Sequence, residues 1–371
     1  MQRIVVAFML VLIVGVPGPV FAGGLTVSDP LDSPALQVHN PAQCVLLDVA
    51  LAGSRLVAVG ERGLVILSDN EGQTWRQVDV PTRVSLTCVK FLTPTRGWAV
   101  GHSGIVLHTE DRGETWTKQL DGVAGAKLAV EAAMANADRG GPDGETARKQ
   151  LDAAQLLVND GPDKPFLDLY FEDNQTGFIV GAYGLIFRTE NGGKTWQPWM
   201  DHVENPKGSH LYAIQAVGGD LYIAGEQGLF LRSTDKGRKF TRIETPYGGT
   251  FFTLDAERSG VIVLGGLRGN VYWTADQGRS FTQGEDPVPV SLGASTVLPD
   301  GTLVFANQAG SLLESRDQGR TLYLLDTQPL PPVAAMIALG NGKTLVTVGL
   351  GGVIRVPLSG AAREAKTGGV Q

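Results

Sequence analysis

The sequence predicts an all-β protein: a seven-bladed β-propeller with one helical hairpin inserted between blades two and three. Three observations carry this. A charged eight-residue turn repeats at a period near 41 residues. A Gly-x-x-Gly phrase, with Asn307 in place of the first glycine in one copy, precedes every copy of that turn and recurs once more after the last. One stretch rich in helix formers breaks the spacing at a single place.

The turn reads Ser/Thr-x-Asp/Asn-x-Gly-x-Ser/Thr-aromatic, a pattern known as the Asp-box. It is strict at 68–75 (SDNEGQTW), 109–116 (TEDRGETW), 189–196 (TENGGKTW) and 274–281 (TADQGRSF), and degraded at 233–240 (STDKGRKF) and 315–322 (SRDQGRTL). Its chemistry is local. Asn70, Asp111, Asn191, Asp235, Asp276 and Asp317 offer a short side-chain oxygen expected to accept backbone N–H groups two residues on. Gly72, Gly113 and Gly193 supply the left-handed backbone of a tight hairpin. Trp75, Trp116 and Trp196 open the next strand as large anchors. The turn is therefore read as a structural joint.

The Gly-x-x-Gly phrase settles the number of blades. Its copies run from VGERGLVILS (59–68) through VGHSGIVLHT, VGAYGLIFRT, AGEQGLFLRS, GGLRGNVYWT and ANQAGSLLES to VGLGGVIRVP (348–357), seven in all. Each repeat then holds four short strands, as in LTCVKFL, GWAVG, IVLHT and WTKQL of blade two, which is the composition of a propeller blade. Blade seven lacks a fourth strand of its own. The extended piece ALQVHN (35–40) is expected to supply it and seal the ring.

The spacing of 80 between the second and third turns contains AGAKLAVEAAMANADRGGPDGETARKQLDAAQLLVND. Two helical runs, about 124–137 and 145–158, flank the turn signal RGGPDG, so residues of about 121–163 form a helical hairpin and not an eighth blade. FLDLYF (166–171) then begins blade three normally.

Domain limits follow. Residues 1–22 read as a cleavable export signal, with Arg3 ahead of IVVAFMLVLIVGV and a small residue, Ala22, at the cut. The propeller occupies 23–358, and 359–371 is a tail. A periplasmic, monomeric protein that does not span the membrane is expected. In an oxidising compartment Cys44 and Cys88, placed on inner strands of neighbouring blades, either pair as a disulfide or stand as two small buried residues.

Composition excludes several roles. The net charge is −7 and the basic residues are scattered, which provides no surface for phosphate backbones and no nucleic-acid partner. The five histidines share no metal-ligand spacing, and no cofactor loop is present: VGLGG (348–352) is simply the last Gly-turn, with a strand after it where a dinucleotide site needs a helix. GHSG (101–104) fails as a hydrolase elbow for the same reason. Asp-boxes also occur in sialidases, so a glycosidase is the enzymatic alternative. That chemistry needs two carboxylates flanking one bond, and no motif nominates a pair. The expectation is a protein that is not an enzyme, with no catalytic residues.

Seven blades, these turns, the phrases GWAVGHSGIVLHT and GFIVGAYGLIFRT, and an export signal together resemble the photosystem II stability/assembly-factor-like propellers, over about residues 40–358. The resemblance implies a non-enzymatic factor that helps a membrane protein subunit assemble, using a propeller face with an arginine patch. Bacterial relatives tend to occur beside genes for exporters of the resistance-nodulation-division class, so a scaffold for such an envelope complex is the first expectation, with photosystem II assembly the alternative in a photosynthetic source. Arg188, Arg232 and Arg355 share one repeat position and are candidates for a shared basic patch or for solvated strand ends. Lys127, Arg139, Arg148 and Lys149 on the hairpin are the other candidate partner-binding residues, because the hairpin alone breaks the symmetry of the ring.

Overall fold

The computed structural model describes residues 28–138, 144–257, 259–340 and 342–358. The expected signal and tail lie outside these residues. Among the described residues the chain forms seven antiparallel sheets in chain order, six of four strands and one of three. The first strand of each sheet packs beside the first strand of the next, and Leu46–Ala52 of blade one lies against Val333–Ala338 of blade seven, which closes the ring.

Second strands such as Gly97–Gly101 and Gly177–Gly181 are buried along their whole length, because each blade is sandwiched between two others. This explains why they read as continuous apolar runs and not as alternating ones. The seams are the core. Between blades two and three, Trp98, Phe166, Phe171, Phe187 and Trp196 form one cluster. Every first strand slips register after its first residue, as between Leu46 and Asp48 or Leu86 and Cys88. The leftover residue of such a bulge is unpaired and re-aims its side chain.

All six charged turns close by one network. The Ser/Thr hydroxyl accepts the N–H of the box glycine at 2.8–3.1 Å, from Gly72 through Gly319. The Asp/Asn Oδ1 accepts the N–H four residues on, not two as expected, at 2.9–3.0 Å. Two successive left-handed residues make that longer reach: Glu71 (φ 58°) and Gly72 (φ 78°), or Arg112 (φ 64°) and Gly113 (φ 82°). The carboxylate of Asp276 is held down at about 2 by the Ser280 hydroxyl and amide and the Thr274 hydroxyl.

Each box also clasps the preceding blade. A Cβ on Gly113 would stand 3.4 Å from Val57 of blade one, and one on Gly319 would stand 2.7 Å from Val263 of blade five. Arg55 of blade one donates to Glu114 of the second box at 2.7 Å, and Trp199 of blade three to Gly237 O of the next box at 2.8 Å. The anchors follow. Trp116 and Trp196 are buried and Trp75 is half-buried; Trp75 and Trp116 donate Nε1 to their own box glycine carbonyl.

The expected closure by residues 35–40 does not form. Blade seven has three described strands, ending at Gly352–Pro357, and 35–40 run along blade one instead. The Ala35 N–H donates to Val80 O at 3.1 Å and the Val38 N–H to Gln77 Oε1 at 3.0 Å. Leu31 and Ala35 are buried in the core shared by blades one and two. Pro30, Pro34 and Pro41 lack the N–H a ladder needs, so this segment is held by isolated backbone bonds and buried side chains and not by continuous strand pairing. Among the described residues the ring closes without a shared sheet: Leu46, Val49 and Ile66 pack against Val346, Val348 and Leu339, and Arg355 of blade seven pairs with Glu71 of the first box.

The hairpin is present as α1, Gly122–Asp138, and α2, Gly144–Asp160. Small residues let the helices approach: Ala129, Ala133 and Ala154 are buried between them, with Leu151, Leu157 and Met200 packed around.

Candidate functional site

Antiparallel strands alternate direction, so the Gly-turns and the connections between blades lie at one end of the ring and the charged turns at the other. The hairpin belongs to the Gly-turn end. Its root sits on the second Gly-turn, where a Cβ on Gly104 would stand 2.7 Å from Gly122. On the same end Tyr183 is 60% exposed at the tip of its turn. Its ring meets His210 edge-on at 5.0 Å, His210 meets Tyr212 at 6.1 Å, and Tyr212 meets Phe252 at 5.2 Å. Lys164 Nζ stands 5.0 Å over Tyr183, and Glu226 pairs with His210 at 2.9 Å. Tyr212 and Phe252 are the leftover bulge residues of blades four and five, half-exposed because the register slip frees them from the ladder. This rim combines apolar rings with polar tips, a composition suited to protein contact.

On the hairpin, Lys127, Arg148 and Lys149 are exposed, and Lys149 pairs with Glu145 at 2.8 Å. Val123, Met134, Leu156 and Val158 are exposed apolar neighbours on the same two helices. Arg139 lies outside the described residues.

The three repeat-position arginines do share one register. Arg188, Arg232 and Arg355 pair with Phe178, Tyr222 and Val346, equivalent residues of three second strands. The side chains do not gather into one patch. Each is held by its own acid: Arg188 by Glu190 at 2.7 Å, Arg232 by Asp220 at 2.5 Å, Arg355 by Glu71 at 3.9 Å. Arg232 also donates to Gln277 of the next box at 2.6 Å, so this position points sideways at the neighbouring blade.

The cysteines are both free. Cys44 packs in the seam of blades seven and one, whereas Cys88 faces blade three and donates to Asp168 Oδ1 at 3.2 Å. The two thiols sit in different seams, so no bridge forms. Burial, with Asp168 and Asp48 nearby, pushes the Cys88 thiol well above its ordinary value. A thiol-reactive chromogen is expected to report Cys44 alone in the native protein and both thiols after unfolding, without reductant. A disulfide would yield neither.

Sequence reasoning missed three acids in the inner strands. Asp168 accepts the N–H of Leu169 and, across the seam, of Ile214, both at 2.8 Å, and pairs with Lys90 at 2.5 Å. Asp48 ties blade one to blade two through Val89 N–H at 2.7 Å. Asp255 ties blade five to blade six through the Ser295 hydroxyl. Burial raises Asp48 and Asp255 to about 6 against the hydrogen bonds that favour their charge. The signal was legible: LLDVA and FLDLY each carry an aspartate inside an apolar strand. Among the described residues no group of His, Cys, Asp and Glu is placed to hold a metal. None of the described helices is long and apolar enough to cross a membrane.

Comparison with known proteins fits this geometry. The model of the family described as photosynthesis system II assembly factor YCF48 matches residues 29–136 and 148–288. A photosystem II assembly lipoprotein Ycf48 from Synechococcus sp. (strain CC9902) is 35% identical over 77 residues, which span 21% of this chain and 23% of that protein. Among solved structures, YCF48 bound to D1 peptide has a TM-score of 0.61 at 17% identity, covering 88% of this chain and 99% of that one. YCF48 from Cyanidioschyzon merolae has a TM-score of 0.60 at 16% identity, covering 87% and 98%. A streptogramin B lyase scores 0.64 at 12% identity over 90% and 100%, so the fold alone does not decide between a binder and an enzyme. The family match covers about two thirds of the sequence: the chain belongs to the photosynthesis system II assembly factor YCF48 family.

Proposed function

We propose that this chain is an exported, non-catalytic scaffold that holds a segment of a membrane protein subunit outside the cytoplasm while its complex assembles. The carrying observation is the Gly-turn end, where the Tyr183–Phe252 rim and the exposed hairpin side chains share one face of a closed, rigid ring. Rigid scaffolds place such loop-borne groups at low entropic cost. Family membership favours a photosystem II client over the exporter complex first expected, and neither the exporter nor the glycosidase reading draws support from it. A relative in fold is seen bound to a D1 peptide, so that peptide is the first probe. Titration of the purified chain with labelled D1 peptide is expected to give saturable anisotropy, weakened by Tyr183→Ser. Equal response to a scrambled peptide would remove the D1 client.

A further inference from the structure

The seam between blades six and seven differs from the other six. Each of the other seams is clasped by a box from the following blade, and blade seven has no box. Its third strand, Gly352–Pro357, is covered on one side by Thr344–Gly349 and on the other by no described strand; the short turn Pro41–Gln43 meets only its start, where a Cβ on Gly352 would run into Ala42 O. In blades one, three, five and six a fourth-strand N–H reaches the carbonyl at one fixed position: Val65, Ile186, Val271 and Leu312. The equivalent carbonyl in blade seven is that of Val353, which pairs with Val348 as Val65 pairs with Val59.

A second observation lies on the blade-six wall of this seam. Where blade one has Leu67 facing the next box, blade six has Glu314, paired with Val304 as Leu67 is with Val57. Glu314 is only 5% exposed. Its carboxylate is met by a single donor, the Arg316 guanidinium, 3.1 Å from Oε1 and 3.4 Å from Oε2, which reaches in from a mostly exposed position. A buried carboxylate has acceptor sites for more than one donor, so a single, mostly exposed arginine leaves room for a second cationic group. The residues that follow the edge strand, PLSGAARE, have neither the Asp/Asn, the box glycine nor the aromatic anchor that form a fourth strand elsewhere.

We propose that this open edge receives an extended segment of a partner polypeptide as the fourth strand of blade seven, with a lysine or arginine of that segment meeting Glu314. An unpaired strand edge is a template for such addition, with backbone bonds giving affinity and one side-chain position giving selectivity. The surface is separate from the hairpin, so the two can be tested apart.

The test uses the full chain and a labelled ten-residue peptide of alternating valine and threonine with one central lysine, beside its counterpart with central glutamate. The lysine probe is expected to bind saturably and roughly tenfold more tightly than the glutamate probe, the scale of one charge-assisted hydrogen bond. Glu314→Gln should erase that difference. Val353→Pro, which removes an outward N–H and leaves the inner ladder intact, should abolish binding of both. Urea unfolding of each variant checks that it is folded. No saturable binding, equal binding of the two probes, or indifference to Glu314→Gln overturns the proposal. So does slow amide exchange at Val353 and Arg355 that becomes fast when the chain ends at Leu358, since the tail would then already fill the edge.

Discussion

Trp98→Ala is expected to lower the unfolding free energy by about 3–5 kcal/mol, the cost of a large cavity in a packed core. Trp98 is 1% exposed at the seam of blades two and three. Its ring stacks on Phe171 with centroids 3.5 Å apart, lies 4.9 Å from His108, and donates Nε1 to Gln119 at 3.2 Å. Truncation removes the ring face from Phe171 and leaves Gln119 Oε1 without that donor. The neighbouring strands cannot close in, because both are held in four-stranded ladders. Trp75→Ala provides the contrast: that ring is half-buried, so the loss should be clearly smaller. Urea unfolding followed by circular dichroism measures both, and equal losses would contradict the packing described.

Asp168→Ala is expected to cost about 3 kcal/mol. The substitution strips acceptors from the N–H groups of Leu169 and Ile214 and from the Cys88 thiol, and leaves Lys90 without its partner. The Lys90 side chain remains 44% exposed, so water recovers part of its charge and keeps the cost below that of a fully buried pair. A double-mutant cycle with Lys90→Met separates the terms. Most of the loss should survive in the Lys90→Met background, because the cross-seam amide of Ile214 is still orphaned. Complete recovery there would mean that the ion pair, and not the backbone tie, matters.

What was legible in the sequence was whatever is fixed by local chemistry and repeated. The box network depends on residues within eight positions of each other, so its six copies can be aligned by eye and count the blades. The hairpin was legible because alanine and lysine content changes abruptly after Leu120. Contacts between blades were not. Residues 35–40 have the look of a strand, yet burial of Leu31 and Ala35 against blade one outweighs pairing with blade seven. Cys44 and Cys88 are on neighbouring units, but the thiols lie in different seams. The shared register of Arg188, Arg232 and Arg355 is set by strand pairing with Phe178, Tyr222 and Val346, while the acids that neutralise each side chain come from positions no repeat marks.

The hairpin bears the main claim about function, and its removal is the direct measurement. Residues 122–162 are replaced by a short linker in a tagged chain, with Met200 and Leu128's former contacts checked by unfolding. Capture of membrane subunits from detergent-solubilised membranes is then quantified beside the intact protein. The account predicts that the intact chain enriches one membrane subunit reproducibly and that the shortened, folded chain loses at least about tenfold of it, the scale of a lost hot-spot cluster. Equal capture by both would contradict the assignment of the binding face.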